Sequence, residues 1–338
     1  MAVMTARPGA RSRARISATA LAAGATALSA LALTGCGTDD GGGGGDDGRL
    51  DVIASFYPME FLVERIGGEH VTIDTLTEPG TEPHDLDISP QRTADLAEAD
   101  LVVYLAGLQP AVDEAVEQSG AEHVVEATSF TELEAHGTEV HGEDEHAEDE
   151  HAGEEEHEDH DHGEDGLDPH LWLDPTKYAE VAEGVGAALA EADPDHAADY
   201  ERNTARLTDE LNALDQEFTE GLATTETDTF ITTHAAFGYL AARYGLHEEA
   251  ISGLDPESEP SAARMRELQE VAEDDNVTTV FFETLVSDET ARTLAGDLGL
   301  ATAVLDPVEG ITDDSPGADY VEVMRANLQA LREALGAS

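Results

Sequence analysis

The chain has 338 residues, of which 40% are hydrophobic, so it is long enough for two domains with buried cores. Its formal net charge is -59, from 75 acidic and 16 basic residues. This balance excludes nucleic acid as a partner, because phosphates require a basic surface, and it argues against electrostatic binding to anionic lipid. It favours the attraction of cations, although an acidic surface adapted to a saline environment would have the same charge.

The N-terminus has the layout of a secretory signal peptide. Four arginines in the first 15 residues precede the apolar stretch "ISATALAAGATALSALAL", which predicts a signal peptide over residues 1–35. The only cysteine, Cys36, follows "LTG", and this tetrapeptide resembles a bacterial lipobox. We therefore expect Cys36 to be lipidated and to anchor the protein to a membrane. Residues 36–48 are rich in glycine, which predicts a flexible tether.

Strand-like and helix-like segments alternate through the rest of the chain. Short runs enriched in β-branched residues predict eight strands, at 49–56, 70–76, 100–107, 122–128, 228–234, 248–254, 277–284 and 300–306. Amphipathic segments between or after them predict helices, at 58–68, 89–99, 261–275, 287–299 and 315–336, the last beginning at Ser315 and Pro316. This alternation predicts an α/β fold with two Rossmann-like lobes, residues 49–192 and 224–338, each with a mainly parallel sheet.

A long uninterrupted helix is predicted over residues 193–223, between the two lobes. Asp193 can serve as its N-cap and Pro194 fits its first turn, while no interior glycine or proline breaks it before Gly221. At this length the helix would be about 40 Å long and would join the lobes as a rigid strut. An ordinary helix on the surface of one lobe is the alternative interpretation.

An acidic tract rich in histidine interrupts the first lobe at residues 136–166. It lacks a hydrophobic period and almost lacks apolar side chains, so we predict a disordered loop. Half of the protein's 14 histidines lie in it, namely His136, His141, His146, His151, His157, His160 and His162. Each has carboxylates nearby, which favours an accessory role in collecting metal ions. A solvated acidic loop with incidental histidines is the alternative.

Three further histidines and one aspartate are candidate metal ligands. His84 follows the predicted strand 70–76, His234 ends the strand 228–234, and Asp306 ends the strand 300–306. Ligand sites in parallel α/β lobes form beyond the carboxyl ends of strands. His170, in "DPHLWLD", stands apart from the acidic tract. Each histidine alone is weak evidence, but three imidazoles and one carboxylate would suit a four-coordinate zinc ion.

Several motifs together resemble a known family. They are "YP" at 57–58, "EPHDLDISP" at 82–90, "ADLVVYLAG" at 99–107, "DPHLWLDP" at 168–175, "THAAFGYLAARYGL" at 233–246, "ISGLDPESEPSA" at 251–262 and "FFE" at 281–283. The sequence is similar to the metal-binding lipoproteins of bacterial ABC importers for zinc and manganese, in the group with a rigid helix between the lobes. The resemblance extends from about Leu50 to the C-terminus.

The resemblance implies which residues bind the metal. In that family, histidines at the positions of His84, His170 and His234 hold the ion, and a carboxylate position matches Asp306. The manganese branch usually has a glutamate at the position of His234, so histidine there favours zinc. Glu283 is a candidate to orient one of the imidazoles, with a helix cap or a surface carboxylate as the alternative. Trp172 is expected to pack at the lobe interface and to shield the site.

The resemblance also implies a function without catalysis. We expect an extracytoplasmic protein, lipid-anchored at the outer face of the bacterial cell membrane, that captures Zn2+ and delivers it to an ABC permease with its ATPase. It would act as a monomer. A manganese-binding counterpart and an adhesin of the same family are alternatives. A zinc hydrolase and a metal buffer are less favoured, the hydrolase because "HExxH" is absent and four protein ligands would close the coordination shell.

Overall fold

The computed structural model describes residues 48–136 and 167–337. Eight strands are found in these residues, one for each strand predicted: β1 Leu50–Ala54, β2 Val71–Thr75, β3 Leu101–Tyr104, β4 Val124–Glu126, β5 Thr229–Thr232, β6 His247–Ala250, β7 Thr279–Phe282 and β8 Ala301–Val304. The helices in the same residues are α1 Tyr57–Gly67, α2 Pro90–Glu98, α3 Pro110–Ser119, α4 Pro175–Ala192, α5 Ala197–Gly221, α6 Gly238–Tyr244, α7 Ala262–Asp274, α8 Glu289–Leu298 and α9 Tyr320–Ala334. The predicted α/β class with two parallel sheets is confirmed.

The strands form two separate four-stranded sheets with the same topology. The first has the order β2-β1-β3-β4 and the second the order β6-β5-β7-β8. Every pairing in both sheets is parallel. In each sheet the first strand in sequence lies inside, between its second and third strands, which places the carboxyl ends of all four strands at one edge.

A large hydrophobic core connects the two halves of the chain. The main cluster of buried side chains contains Phe56 and Trp172 from the first half together with Phe230 and Phe281 from the second. Trp172 is fully buried, and its indole Nε1 donates a hydrogen bond of 2.7 Å to the carbonyl oxygen of Pro307. The core therefore supports both sheets directly behind the edges at which their strands end.

Helix α5 connects the two sheets, but it begins three residues later than expected for a cap at Asp193. Asp193 is the C-cap of α4, because its backbone N–H donates to the carbonyl oxygen of Leu189. The N-cap of α5 is His196. The Asp193 carboxylate still supports the helix, because it accepts a hydrogen bond of 2.9 Å from the hydroxyl of Tyr200. The predicted N-cap at Asp193 and first turn at Pro194 are therefore wrong, and two helices meet where one boundary was expected.

Along its length, α5 contacts helices that belong to both halves. Glu210 forms an ion pair with Arg65 of α1, and Glu217 forms a bidentate pair with Arg325 of α9, with both distances 2.8 Å. The helix has 25 residues, which corresponds to about 38 Å. Helix α5 thus contacts helices from both halves of the chain, through α1 and α9.

The last helix also begins later than the sequence indicates. Its N-cap is Asp319, whose side chain accepts a hydrogen bond from the N–H of Glu322, and Glu322 in turn accepts from the N–H of Ala318. Asp319 thus caps the helix in the usual way, and the predicted start at Ser315 and Pro316 is wrong. The Ser315 hydroxyl instead accepts a hydrogen bond from the N–H of Thr312 in the preceding turn.

Several predicted features lie outside the described residues. These are the signal peptide, Cys36, the tether up to residue 47, and six histidines of the acidic tract, His141, His146, His151, His157, His160 and His162. His136, the first residue of the predicted disordered loop, is ordered: its ring packs edge-on against Tyr239, with the centroids 4.8 Å apart. In the described part of the chain, no helix combines the length and the apolar character needed to cross a membrane.

Candidate metal centre

Four potential ligands reach one point between the ends of the two sheets. His84 lies in the loop after β2, His234 comes two residues after the end of β5, and Glu309 lies in the loop after β8. His170 directly precedes the short 3-10 helix Leu171–Leu173, which leads into α4. Each sheet therefore contributes through loops at the carboxyl ends of its strands, where α/β proteins bind ligands.

The four ligand atoms converge on one another and lack other partners. The imidazole Nε2 atoms of the three histidines and the Oε1 atom of Glu309 all lie within 4.8 Å of one another. All four atoms are buried, and among the described residues none has a hydrogen-bond partner. Leaving a buried polar atom unpaired costs about 1–3 kcal/mol. Four such atoms that face the same point are therefore strong support for an ion that would satisfy them all.

The distances fit a tetrahedral ion. Glu309 Oε1 lies 3.4 Å from His84 Nε2, 3.4 Å from His170 Nε2 and 3.6 Å from His234 Nε2. Bonds of about 2.0–2.1 Å to a tetrahedral zinc ion would place the ligand atoms about 3.3–3.4 Å apart. Small shifts of the side chains would therefore complete the site.

Buried carboxylates hold two of the imidazoles by their other ring nitrogen. His170 Nδ1 lies 2.7 Å from Asp168 Oδ1, which also accepts a hydrogen bond of 2.9 Å from the N–H of His170. His234 Nδ1 lies 2.7 Å from Glu283 Oε1, which also accepts a hydrogen bond from the hydroxyl of Thr233. With the proton on Nδ1, each Nε2 presents its lone pair to the centre of the cluster.

His84 lies on the accessible side of the cluster. Its side chain is 12% exposed, whereas those of His170 and His234 are fully buried and that of Glu309 is 1% exposed. An open cleft of about 720 Å³ reaches His84 and is lined by the acidic residues Asp85, Asp113, Glu117 and Asp255, among others. An ion that enters through this cleft would meet His84 before the other three groups.

Electrostatic coupling among the groups of the cluster shifts their pKa values. Burial lowers the pKa of His170, but the adjacent carboxylates of Asp168 and Glu309 outweigh burial and raise the pKa to about 9. Burial likewise opposes the charged form of His234, but Glu283 and Glu309 raise its pKa well above the usual value. Burial would raise the pKa of Glu309, yet the surrounding histidines lower it well below its usual range. Without metal, the cluster therefore holds protons at neutral pH.

Asp306, the predicted fourth ligand, lies next to the cluster but is not one of its four members. Its Oδ2 accepts a hydrogen bond of 2.9 Å from the hydroxyl of Thr284, and its Oδ1 accepts one of 2.8 Å from the N–H of Val308. Val308 has a φ of 61°, which turns the chain so that Glu309 faces the histidines. The structure thus places the carboxylate of Glu309, and not that of Asp306, among the imidazoles. Burial raises the pKa of Asp306 to about 6.

Trp172 has the buried position that the sequence suggested. Its ring packs against His170 with the centroids 5.2 Å apart and meets Phe56 edge-on at 5.0 Å. The carbonyl oxygen of Trp172 accepts a hydrogen bond of 2.6 Å from the hydroxyl of Tyr320 in α9. These contacts join residues of both halves immediately behind the imidazole of His170.

Curated relatives of this chain are named for zinc binding and zinc uptake. The chain is 33% identical over 296 residues to the zinc-binding lipoprotein AdcA of Streptococcus pneumoniae, a match that covers 85% of this chain and 56% of AdcA. It is also 33% identical over 311 residues to the high-affinity zinc uptake system protein ZnuA of Bacillus subtilis, covering 90% of this chain and 94% of ZnuA. The chain thus spans a little over half the length of AdcA and nearly all of the Bacillus protein.

Solved structures show the same fold. The Zn(II)-bound ZnuA-like domain of Streptococcus pneumoniae AdcA matches with a TM-score of 0.68 and 31% identity, over 85% of this chain and 99% of that domain. A second match is a laminin-binding protein of Streptococcus agalactiae, described as bifunctional with adhesin and metal transporting activity. Its TM-score is 0.71 and its identity 28%, over 85% of this chain and 99% of that protein.

The match to a protein family covers most of the chain. Residues 52–334 match the family described as "Zinc-uptake complex component A periplasmic". This range includes all four groups of the cluster and, except for the first two residues of β1, both sheets. The resemblance to the lipoproteins of metal importers is thereby confirmed, and the chain belongs to the ZnuA family of zinc-uptake components.

Proposed function

We propose that this protein captures Zn2+ outside the cytoplasm and delivers it to an ABC-type permease. The observation that carries the proposal is the convergence of three imidazole nitrogens and one carboxylate oxygen, all buried and all without partners among the described residues. His84, His170, His234 and Glu309 would hold the ion. Zinc is the cargo of the protein in this proposal and not a cofactor.

The chemistry of the ligands favours zinc over manganese. Imidazole is a good ligand for zinc, whereas manganese prefers carboxylate, carbonyl and water oxygens. A cluster with three nitrogens and one oxygen therefore has too few oxygen atoms for a manganese site. The names of the relatives, a zinc-binding lipoprotein and a zinc uptake protein, support the same choice.

The arrangement supports binding and release and does not support catalysis. A zinc hydrolase needs an open coordination position for water, whereas four protein groups would fill a tetrahedral shell here. Among the described residues, no specific feature favours the adhesin activity named for one structural relative.

The proposed setting of the protein follows from its N-terminus and its family. Lipidation at Cys36 would anchor the chain at the outer face of the cell membrane, and the glycine-rich residues after it would leave the folded part free to meet a permease. We propose that the protein acts as a monomer. The histidines at 141–162 would collect zinc as weak accessory sites near the tight one.

A competitive titration of zinc against manganese tests the proposal. The unchanged chain should bind zinc tightly and prefer it to manganese, and both His84→Ala and His234→Ala should lose most of that affinity. Deleting residues 137–166 distinguishes the proposal from a metal buffer. If tight binding disappears with this tract and persists in the two histidine variants, the converging cluster is not the zinc site.

A further inference from the structure

The backbone around Glu134 and Asp168 contains an incomplete β-bridge. The N–H of Asp168 donates a hydrogen bond of 2.9 Å to the carbonyl oxygen of Glu134, and the two residues form an isolated antiparallel bridge. Two residues in such a pair normally exchange both N–H···O bonds. Here the second bond is replaced by a side chain: the N–H of Glu134 donates to the hydroxyl of Tyr239 at 2.7 Å, and that hydroxyl donates to the carbonyl oxygen of Asp168 at 2.9 Å.

Tyr239 comes from the other half of the molecule. It lies in α6, five residues after His234, and is only 2% exposed. Two side chains contact its ring. His136 packs against it edge-on, and the ammonium group of Lys177 lies over it, 5.4 Å from the ring centroid. The hydroxyl that completes the bridge is therefore held in place by α6 and its neighbours.

Helix α6 also lies directly against the carboxylate of Asp168. A Cβ atom added to Gly238 would come within 2.8 Å of Asp168 Oδ2 and within 2.3 Å of the Cβ of His136. Only a glycine allows this approach. The main chain of Asp168 is thus held by Tyr239, and its side chain is confined by the residue before Tyr239.

Asp168 passes this constraint to the metal cluster. Its Oδ1 lies 2.7 Å from His170 Nδ1 and accepts a hydrogen bond from the N–H of His170. If Asp168 moved, the imidazole would turn and its Nε2 would leave the position 3.4 Å from Glu309 Oε1. We propose that Tyr239 is a positioning residue for the metal site, whose hydroxyl fixes Asp168 so that His170 faces the ion. This inference rests on the zinc-binding function proposed above.

The test compares two buried tyrosines in the full chain. Tyr239→Phe removes both hydrogen bonds to the bridge and keeps the ring. Tyr178→Phe is the matched control, because Tyr178 is fully buried and its hydroxyl likewise donates to a main-chain carbonyl, that of Pro58 at 2.5 Å. Zinc dissociation should be about 10-fold faster in Tyr239→Phe, the lower end of the range for residues that support a metal ligand, because Tyr239 acts through Asp168; it should be unchanged in the control.

Spectroscopy and a double mutant separate positioning from a general loss of stability. The visible absorption of bound Co2+, which reports the geometry of the ligands, should change in Tyr239→Phe and not in Tyr178→Phe. In the double mutant Tyr239→Phe/Asp168→Asn, zinc dissociation should be accelerated by less than the two single changes combined, because both act through the imidazole of His170. Gly238→Ala, which displaces Asp168 without altering the hydroxyl, should also speed dissociation.

Two results have different meanings. Equal dissociation rates and equal Co2+ spectra for the two phenylalanine variants, even with a lower melting temperature for Tyr239→Phe, would refute the positioning role. Failure of the unchanged chain to bind zinc tightly would instead refute the proposed function.

Discussion

Val308 determines which carboxylate reaches the histidines. A β-branched residue with a φ of 61° is strained, and such a conformation costs about 1–3 kcal/mol unless its surroundings hold it. The N–H of Val308 is held by Asp306, whose own main-chain N–H and carbonyl oxygen are both bonded by the side-chain amide of Asn327 at 3.0 and 2.7 Å. Asp306 therefore supports the turn that presents Glu309.

The two carboxylates should respond differently to removal of their charge. In Glu309→Gln, zinc loses its only anionic ligand in the cluster. The affinity should fall by more than about 100-fold, which is the upper end of the range for residues that only support a metal ligand. In Asp306→Asn, the side-chain oxygen can still accept from Val308 and the amide can bond to Thr284, so the affinity should change by less than about 10-fold. Chelator competition with both variants measures this.

The comparison also serves as its own control, since the two residues are three positions apart and both are buried. A larger loss of affinity in Asp306→Asn than in Glu309→Gln would show that Asp306 binds the metal, as the sequence alone suggested.

Zinc affinity should depend on pH up to about pH 9. The carboxylates beside His170 raise the pKa of its imidazole from 6.5 to about 9 in the metal-free protein, so at neutral pH zinc must displace a proton from it. The apparent affinity should therefore fall by at least about 10-fold for each unit of pH below 9, since each displaced proton contributes one factor of ten and the pKa of His234 is raised as well. Titrations at pH 6.5–9.5, corrected for protonation of the competing chelator, measure this slope.

The stability of the metal-free protein should change in the opposite direction. A pKa that is raised on folding contributes stability that is fully present below the unfolded value of 6.5 and is lost as the pH rises through about 9. The ionisation of His170 should therefore make the metal-free protein unfold at a lower temperature at pH 9 than at pH 6.5. A constant zinc affinity between pH 7 and 9 would mean that His170 is neutral in the metal-free site.

Ligands at the ends of strands could be predicted from the sequence, whereas a ligand whose position depends on the conformation of a turn could not. His84 follows a predicted strand and His234 ends another, so a site formed by both could be anticipated. Glu309 could not, because nothing in "DPVEG" shows that Val308 takes a positive φ. Asp168 was visible two residues before His170, but its hydrogen bond to Nδ1 depends on the local backbone.

At the scale of elements, the strands were predictable and the helix starts were less so. Parallel strands buried on both faces have continuous apolar runs, such as "LVVY" in β3, which are recognisable without their neighbours. Helix starts depend on which of several capping residues makes its hydrogen bond. Asp319 caps α9 because its side chain accepts from the N–H of Glu322, and Asp193 is the C-cap of α4 because its N–H donates to the carbonyl oxygen of Leu189. Such competition is decided in three dimensions.

Helix α5 explains how two separate sheets can share one site. It is bonded to α1 through Arg65 and to α9 through Arg325, and it contributes Leu207, Leu211 and Phe218 to the core that both halves share. Helix α5 therefore helps to keep the loops that contain the ligands in fixed positions relative to one another. The sequence indicated a connecting helix, but these cross-contacts required the structure.

At the scale of the whole molecule, the charge of -59 produces a field that attracts cations from every side. The cleft that leads to His84 concentrates this field, because Asp85, Asp113, Glu117 and Asp255 line it. Once bound, an ion would be enclosed by three side chains that are at most 1% exposed. The field should therefore act on the approach of zinc and have little effect on its retention.

Salt should accordingly slow the association of zinc and leave its dissociation almost unchanged. Raising the salt concentration from about 0.1 M to about 1 M shortens the Debye length from about 10 Å to about 3 Å, which screens the surface carboxylates but not the buried cluster. Stopped-flow mixing in sodium nitrate, chosen because chloride binds zinc, measures association directly, and mixing with excess chelator measures dissociation. An association rate independent of salt, together with faster dissociation, would show that surface charge stabilises the bound ion and does not guide its capture.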